Sequence, residues 1–367
     1  MSKYIKIAVR VDGDSFIGTG HVYRCLNLVS YIKNADIEFI CKNIDENLKL
    51  LITEKYKFKF NLINKNNENK ITSDKKTWLN DTQKIDCEKT INIIKNKNID
   101  WMIIDHYGID KEWEINIKPY VKKIFVIDDY VKRKHNCDVI LNNLLKDKNR
   151  YLNYINHNCK ILNGKEYIIL NKVYLQNKKL NNNTKLKRIN IFMGGTDKTN
   201  ETFKIINKCN LINQELNFPF IFDVIVGPGN KYKEEIKNLC SKIKNFNFYF
   251  NVSDIYNIFL KSELCIGSAG ITVFERCILE IPSLLICFDL NQKKVLQGFI
   301  DANVTKYIGT INDNYLKDID ENIKKYYNNY NELKNMKSNC KLFFNRNHLL
   351  NFSKKLNHIF HKDIFNL

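Results

Sequence analysis

The residues with the clearest chemical potential lie in a loop near the start of the chain. Residues 5–9 predict a short β-strand, and the loop after it ends in Gly18-Thr19-Gly20-His21 before a helix-like segment at 22–32. The glycines permit a tight turn and close backbone approach to a ligand. A histidine in the first turn of a helix lies near the positive end of the helix dipole, which favours the neutral imidazole of a general base. His21 is therefore a candidate general base, although a histidine that merely caps or fills the turn fits the pattern equally well.

Two further polar clusters follow predicted strands in the first half of the chain. Asp105-His106-Tyr107-Gly108 follows the strand at 101–105, and Asp128-Asp129-Tyr130 ends the strand at 123–128. Residues at the carboxyl ends of strands in an α/β domain face the ligand crevice. The first cluster is equally compatible with a helix-capping Asp and a solvated His. For the second cluster, an Asx-turn is the favoured interpretation.

The second half contains two glycine-containing loops suited to an anionic group. Met193-Gly194-Gly195-Thr196-Asp197 lies between a predicted strand and a helix, as an ordinary β–α turn would. The stronger signal is the segment 267–276, Gly-Ser-Ala-Gly-Ile-Thr-Val-Phe-Glu-Arg, which opens a helix and suits a phosphate. Glu275 lies one turn into that helix, where its carboxylate can accept both hydroxyls of a ribose. Further on, the neutral amides of Asn291 and Gln292 follow the strand at 283–288.

Several common cofactor and metal patterns are absent from the sequence. It has no Gly-x-x-x-x-Gly-Lys-Ser/Thr phosphate loop, no complete Gly-x-Gly-x-x-Gly after a strand, and no His-x-x-x-His pattern. These absences disfavour P-loop ATP hydrolysis and dinucleotide redox chemistry. We expect neither a cofactor nor a bound metal.

Strand-like and helix-like segments alternate along the chain. Each apolar run is four to seven residues long, which suits a strand covered on both faces, and helix-period segments follow most runs. This order predicts an α/β protein with two doubly wound, Rossmann-like parallel-sheet domains facing a cleft. The predicted strands are 5–9, 37–41, 101–105, 123–128, 138–141, 188–193, 220–226, 246–250, 264–267, 283–288 and 305–308; the helices include 22–32, 83–97, 201–216 and 272–280.

The polar stretch 176–187, with three consecutive Asn at its centre, is the predicted linker between the two domains. The predicted limits are 1–178 for the N-terminal domain, which carries the His21 loop, and 186–340 for the C-terminal domain. A helical segment at 341–367 is expected to pack back on the first domain.

The composition bounds the class of protein. The chain has 367 residues, 44% of them hydrophobic, and a formal net charge of +19 carried mainly by Lys in Asn- and Ile-rich surroundings. We interpret this charge as compositional bias on solvated faces, and expect no nucleic-acid partner. Eleven Cys without a Cys-x-x-Cys pair fit a reducing cytoplasm. No signal peptide or ~18-residue apolar run is found, so we expect no membrane insertion.

The motifs taken in order resemble a known family. Residues 17–26 (Ile-Gly-Thr-Gly-His-Val-x-Arg-Cys-Leu), 105–108, 128–129, 194–197 and 267–276 look like the UDP-sugar hydrolases of pseudaminic acid biosynthesis, the PseG family. The resemblance extends from about residue 5 to 298. It implies a GT-B-type fold shared with MurG-like glycosyltransferases, and release of UDP and free sugar from UDP-2,4-diacetamido-2,4,6-trideoxy-β-L-altropyranose.

The resemblance also implies roles for particular residues. His21 matches the family's catalytic His, which activates water for attack at the anomeric carbon, and Glu275 matches the ribose-binding carboxylate. The remaining matches are sugar-side or substrate-binding residues, Arg10, Asp12, Gly18, Gly20, His106, Tyr107, Asn291 and Gln292, and UDP-binding residues, Gly194, Gly195, Ser268, Ala269, Gly270 and Thr272. The sequence departs from the family pattern at Asn171, at 344–348 and in the Lys/Asn-rich stretch 61–76, which leaves the exact sugar open.

Three functions follow as hypotheses. The leading one is metal-independent hydrolysis of a UDP-sugar at its C1–O bond, with inversion, by an enzyme that we expect to be a monomer. A glycosyltransferase on the same scaffold, with an acceptor hydroxyl in place of water, is the nearest alternative. A basic protein that binds nucleic acid or anionic surfaces rests only on the +19 charge.

Overall fold

The computed structural model describes residues 4–14, 16–64, 74–143, 147–176, 185–252, 255–288 and 290–365. The chain divides into two compact units. Unit 1 comprises Met1–Lys172 and His348–Leu367, and unit 2 comprises Val173–Asn347. The sequence placed these limits at 178 and 340. Most of the expected linker, 177–184, lies outside the described residues.

Unit 1 contains a seven-stranded sheet in the order β3-β2-β1-β4-β5-β6-β7, and every neighbouring pair is parallel. Helices connect the strands, and a C-terminal helix completes the unit. The strands are β1 Ile5–Val11, β2 Ala35–Cys41, β3 Lys59–Leu62, β4 Ile99–Asp105, β5 Val121–Ile127, β6 Val139–Asn142 and β7 Lys160–Asn163. The α-helices of its first segment are α1 Gly20–Ser30, α2 Glu46–Leu50, α3 Gln83–Ile94 and α4 Lys111–Ile117.

Unit 2 contains a six-stranded parallel sheet in the order β10-β9-β8-β11-β12-β13. Its strands are β8 Arg188–Phe192, β9 Ile221–Val226, β10 Phe246–Phe250, β11 Leu264–Ser268, β12 Ser283–Cys287 and β13 Thr305–Thr310. Its helices are α5 Glu201–Glu215, α6 Lys233–Lys242, α7 Ile255–Phe259, α8 Thr272–Ile278, α9 Leu290–Asp301, α10 Tyr315–Asn328 and α11 Tyr330–Phe343. The prediction of two doubly wound parallel sheets is confirmed.

The strand order reverses once in each sheet, and both reversals lie where the sequence placed chemistry. In unit 1, β2 and β3 lie on one side of β1 and β4 lies on the other, so that Val11 pairs with Asp105. In unit 2 the same reversal joins β8 to β11, so that Phe192 pairs with Gly267. Loops that follow adjacent strands at such a reversal diverge and leave room for a ligand.

Every strand that the apolar runs predicted is present, with ends displaced by one or two residues in most cases. The sequence missed β3 and β7, the two edge strands of the first sheet. Both have only four residues and are mostly exposed or half-buried, so they lack the continuous apolar run of a central strand.

The C-terminal region forms two helices, whereas the sequence suggested one helical segment. α11 ends at Phe343 and the last helix, α12 Arg346–Phe365, begins after an extended Phe344. Within unit 1, the indole N–H of Trp101 on β4 donates to the Phe360 carbonyl of α12 at 3.0 Å, and the two rings lie 4.8 Å apart. The last helix therefore covers part of the first sheet.

Candidate functional site

His21 lies in the first turn of α1, which a compact loop connects to the end of β1. The Asp14 carboxylate accepts the backbone N–H groups of Phe16 and Ile17 at 2.8 and 2.7 Å, which closes the turn. Gly18 has a φ of 92°, a conformation that favours glycine. Gly20 begins the helix, with open space where a side chain would stand. The local sequence thus specifies the position of the imidazole.

The His21 imidazole is paired with a buried carboxylate. Its Nδ1 lies 2.6 Å from Oδ1 of Asp105, the last residue of β4. Burial alone would raise the pKa of Asp105, but the Arg24 guanidinium and the His21 contact outweigh burial and hold that pKa well below its usual range. An ionised carboxylate only accepts hydrogen bonds, so Nδ1 carries the proton. Nε2 is then the ring nitrogen with a lone pair in the neutral imidazole.

Arg24, one turn further along α1, holds the Asp105 carboxylate with two donors. Its Nε and Nη2 donate to the two carboxylate oxygens at 2.7 Å each, and its Nη1 donates to Asp129 at 3.0 Å. Tyr107 also donates to Asp129, and its ring lies edge-on to His21 with the centroids 4.8 Å apart. These contacts form a closed network, which we call the imidazole ring cluster and which comprises His21, Asp105, Arg24, Asp129 and Tyr107.

Two further aromatic side chains, Trp78 and Tyr130, border this cluster. Trp78 lies 6.3 Å from the His21 ring and 5.5 Å from Tyr107, and Tyr130 lies 6.2 Å from Tyr107. The ammonium of Lys75 lies 3.9 Å from the Tyr107 centroid and 4.9 Å from that of Tyr130. We call the three side chains Trp78, Tyr107 and Tyr130 the aromatic wall.

Arg10 and Asp12 lie beneath the cluster instead of lining it. Both side chains have no exposed surface. Arg10 binds Asp12 and also Asp86, whose oxygens lie 3.1 and 2.7 Å from its Nε and Nη2. Burial opposes ionisation of Asp12, but the Arg10 charge and the His106 contact hold its pKa well below the usual range. Neither side chain has exposed surface in this structure, and the predicted contact of Arg10 and Asp12 with substrate stays a prediction.

His106 is also buried and supports the loop. Its Nδ1 accepts the Gly108 N–H at 3.0 Å, and its Nε2 lies 3.4 Å from Asp12. Burial lowers the pKa of His106 despite the neighbouring carboxylate. With 3% of its surface exposed, this histidine stabilises the loop between β4 and α4. The predicted contact of His106 with substrate stays a prediction.

Asp128 confirms the favoured Asx-turn interpretation, whereas its neighbour has a different role. The Asp128 carboxylate accepts the N–H groups of Tyr130 and Val131 at 3.3 and 3.1 Å, and pairs with Arg133. Asp129 instead enters the imidazole ring cluster. The sequence therefore identified the motif without assigning the residue that reaches the site.

In unit 2, the glycines of the first loop permit close contact between neighbouring turns. Gly194 has a φ of 90°, and a Cβ on it would lie 3.3 Å from Ser268 Oγ. A Cβ on Gly227 would lie 2.4 Å from the Gly195 Cα, and the Gly229 N–H donates to the Gly195 carbonyl at 3.0 Å. The loop after β8, the loop after β9 and the end of β11 are thus in direct contact. The role of the Gly227-Pro228-Gly229 turn was missed from the sequence, although that tripeptide is a turn signal.

The buried Arg276 side chain supports the loop at the end of β11 through hydrogen bonds. Its guanidinium donates to the carbonyls of Ser268 and Thr272 at 3.3 and 3.1 Å. Ala269 and Thr272 are half-buried and Gly270 is exposed, so this stretch is accessible at the end of β11. The predicted small-residue loop is thus accessible and is hydrogen-bonded to a buried guanidinium.

Glu275 follows in the same helix and has an unusual environment. Burial raises the pKa of its carboxyl to about 7, against the opposing effects of the Arg276 charge and a hydrogen bond with Tyr174. Asn291 and Gln292 belong to α9, but their side chains lie outside the described part of the structure. Their predicted contact with substrate stays a prediction.

The described residues offer neither a metal cluster nor a membrane span. They contain no group of three or more His, Cys, Asp or Glu side chains arranged to hold a metal ion. None of their helices combines the length and the apolar character needed to cross a membrane.

Comparisons with known proteins agree with this architecture. No family model matches the chain. It is 27% identical over 327 residues to Uncharacterized protein MJ1062 of Methanocaldococcus jannaschii, covering 86% of this chain but only 62% of that protein's length. It is 26% identical over 292 residues to the UDP-2,4-diacetamido-2,4,6-trideoxy-beta-L-altropyranose hydrolase of Campylobacter jejuni, covering 79% of this chain and 94% of that enzyme.

Among solved structures, MurG of Acinetobacter baumannii matches with a TM-score of 0.58 at 10% identity, over 96% of this chain and 99% of that one. At this identity the likeness concerns the fold, and it confirms the expected GT-B-type, MurG-like architecture. The sequence relationship to the Campylobacter enzyme makes the chain a relative of UDP-sugar-processing enzymes.

Proposed function

We propose that this protein hydrolyses a UDP-linked amino sugar at its C1–O bond, releasing UDP and the free sugar, and that UDP-2,4-diacetamido-2,4,6-trideoxy-β-L-altropyranose or a close analogue is the substrate. The pairing of His21 with ionised Asp105 is the observation that carries the proposal. The named activity of the Campylobacter jejuni relative supports the choice of substrate.

In this mechanism His21 is the general base. With Nδ1–H bonded to Asp105, Nε2 accepts a proton from water as the water oxygen forms a bond to C1. The C1–O bond to the β-phosphate breaks, and its electron pair leaves with UDP. Asp105 stabilises the imidazolium that forms, because a carboxylate at 2.6 Å favours the charged ring. Attack opposite the leaving group inverts the anomeric centre.

The imidazole ring cluster explains how the base is oriented. Arg24 engages both oxygens of Asp105, so the carboxylate cannot rotate away from Nδ1. Asp129 accepts hydrogen bonds from both Arg24 and Tyr107, and so links the guanidinium to the tyrosine that lies beside the imidazole. Such preorganisation reduces the reorganisation required during proton transfer.

The loops of unit 2 supply the proposed nucleotide site. The glycines at 194 and 195 and the stretch 268–272 allow backbone N–H groups to approach a diphosphate. The Glu275 carboxylate is proposed to accept the ribose hydroxyls, which requires its ionised form. The Arg276 brace keeps this loop in place.

The glycosyltransferase alternative shares every one of these elements, and an acceptor-free assay separates the two. The purified protein is incubated with the UDP-diacetamido-altropyranose in ¹⁸O water, and products are followed by proton NMR and mass spectrometry. Hydrolysis at C1–O predicts free sugar of inverted configuration with the label at C1. Label in UDP would indicate P–O cleavage and contradict the mechanism. Turnover only after addition of a sugar acceptor would establish the transferase.

A further inference from the structure

We propose that Lys75 is an anion-recognising residue of this site, which binds the diphosphate of the nucleotide sugar beside the scissile bond. The inference rests on the proposed function, and it adds a residue that lies outside every motif visible in the sequence. Lys75 belongs to a short 3₁₀ helix, Lys75–Leu79, that also carries Trp78.

The Lys75 ammonium lies on aromatic faces instead of pairing with a carboxylate. Its Nζ lies over Tyr107, Tyr130 and Trp78, at 3.9, 4.9 and 5.9 Å from the ring centroids. Among the described residues it forms no ion pair. Aromatic faces hold a cation at a desolvated surface without neutralising it. The ammonium therefore retains its charge for an incoming anion.

The imidazole ring cluster next to Lys75 carries an excess of negative charge. Asp105 and Asp129 contribute two negative charges, and Arg24 contributes one positive charge that both carboxylates already use. In the form that the proposed base requires, with an uncharged imidazole, the cluster is net negative and repels a diphosphate. Two described lysines near this cluster form no ion pair with a carboxylate, Lys132 at 5.3 Å from the Tyr130 centroid and Lys75. Only Lys75 of these two lies over Tyr107, a member of the cluster, so Lys75 is the one placed to offset the excess.

The distance between Lys75 and His21 suits a shared substrate. Tyr107 contacts both residues, with its centroid 4.8 Å from that of His21 and 3.9 Å from Lys75 Nζ, which limits the separation of Nζ and imidazole to about 9 Å. For in-line attack, the water lies roughly 3 Å from Nε2 and from C1, and the phosphate follows one bridging oxygen beyond C1. A lysine side chain spans the remaining gap. This upper limit is comparable with the path from Nε2 through water and C1 to the phosphate, so the proposal places the leaving group within reach of Lys75.

The test compares K75M and K75R with the wild-type protein on the UDP-sugar, and uses K111M, at an exposed lysine of α4, as matched control. We expect K75M to lower kcat/KM roughly 10- to 100-fold, the effect of one lost charge-assisted hydrogen bond, and to flatten its dependence on salt. K75R should retain activity within about tenfold, and K111M should match the wild type. All four proteins should have the same thermal midpoint.

Two outcomes overturn the inference. In the first, the wild type is active and the kcat/KM of K75M lies within twofold of the wild-type value. This result would show that Lys75 only packs on the tyrosines. If the wild type hydrolyses no UDP-sugar, the proposed function fails separately, and the ratio of UDP to uridine affinity then decides. A tenfold lower ratio in K75M supports anion binding, whereas an unchanged ratio contradicts it.

Discussion

At the scale of single residues, the structure separates groups that face the site from groups that support it. His21, Tyr107 and Glu275 are partly accessible, whereas Arg10, Asp12 and His106 are buried in their own network. Sequence position alone could not distinguish them, because all six stand at strand ends or in the loops and helix starts that follow. In unit 1 the difference arises from side-chain direction around β1 and β4, which depends on what packs against each face.

Replacing His21 by Ala tests the general base. We expect kcat to fall by roughly 10²- to 10⁴-fold, the usual contribution of such a base, with UDP affinity within about twofold of wild type. Turnover of the UDP-sugar and calorimetric titration with UDP provide the two measurements. His157→Ala, at an exposed position of unit 1, is the control. Near-normal turnover in His21→Ala would remove this residue from the mechanism.

The environment of Glu275 predicts a pH dependence of UDP binding. Because its pKa is raised to about 7, the carboxyl is protonated below that pH and loses its ability to accept both ribose hydroxyls. We expect UDP affinity to fall as the pH is lowered from 8 to 6.

The control for this prediction is Glu275→Gln, which cannot ionise. UDP itself titrates in this range, so the difference between the two proteins isolates the carboxyl. The variant should bind UDP roughly 10- to 100-fold more weakly at pH 8. Parallel pH profiles for the two proteins would contradict the ribose-binding role.

At the scale of elements, the contacts between loops matter more than the loops taken singly. Gly195, Gly227 and Ser268 come from segments that follow or end three different strands, yet these segments lie within van der Waals reach of one another. The turn chemistry of each segment was visible in the sequence. Their mutual approach depends on the strand order of the second sheet, which local patterns do not encode.

Replacing Gly227 by Ala tests this packing. The new Cβ would lie 2.4 Å from the Gly195 Cα, so one of the two turns must move. We expect a loss of about 1–3 kcal/mol in the free energy of unfolding, as for other overpacked sites, and weaker UDP binding. Thermal melts and UDP titrations measure both effects. Gly270→Ala, with nothing within 4 Å of its Cβ, should leave the melt unchanged; equal melts for both variants would disprove the contact.

At the scale of the whole molecule, the buried charges are distributed unequally between the two units. The carboxyls of Asp12, Asp105 and Asp128 all lie in unit 1, where nearby cations overcome burial and hold their pKa values well below the usual range. In unit 2 the pKa of Glu275 is shifted the other way, and among the described residues of this unit the half-buried Asp320, beside Lys208 and Lys324, has a lowered carboxyl pKa. The two units should therefore respond differently to acid.

Proton linkage sets the sign of this response. A carboxyl whose pKa is lower in the folded than in the unfolded state stabilises the folded state at any pH above its unfolded pKa, which is near 4. The contribution is about 1.4 kcal/mol for each tenfold decrease in proton affinity, and it disappears as the pH falls further. For Glu275 the folded state binds the proton more tightly, so unit 2 gains stability as the pH falls from 7 towards 4.5. We expect unit 1 to unfold first below about pH 4.

The tryptophans make this prediction measurable. All three, Trp78, Trp101 and Trp113, lie in unit 1, so their fluorescence reports that unit alone, whereas far-ultraviolet circular dichroism reports both units. As the pH is lowered, the tryptophan fluorescence should change first, when unit 1 unfolds. The circular dichroism should continue to change at lower pH, when unit 2 unfolds. Coincident transitions would contradict independent acid unfolding of unit 1.

The sequence by itself determined the class of fold and the places where chemistry lies. Continuous apolar runs between helical segments specify covered parallel strands, and polar or glycine-containing loops after those strands specify ligand-facing ends. Both are local properties of the chain. The edge strands β3 and β7 escaped detection because a short, half-exposed strand leaves no comparable pattern.

Only the tertiary structure decided which of these residues act together. His21 meets Asp105 across 84 positions of sequence, and Arg24 meets Asp129 across 105. It also decided that Arg10 is buried against Asp86, and that Lys75 lies on the aromatic wall. Such contacts depend on strand order, register and the direction of side chains in a packed interior, which are properties of the whole domain.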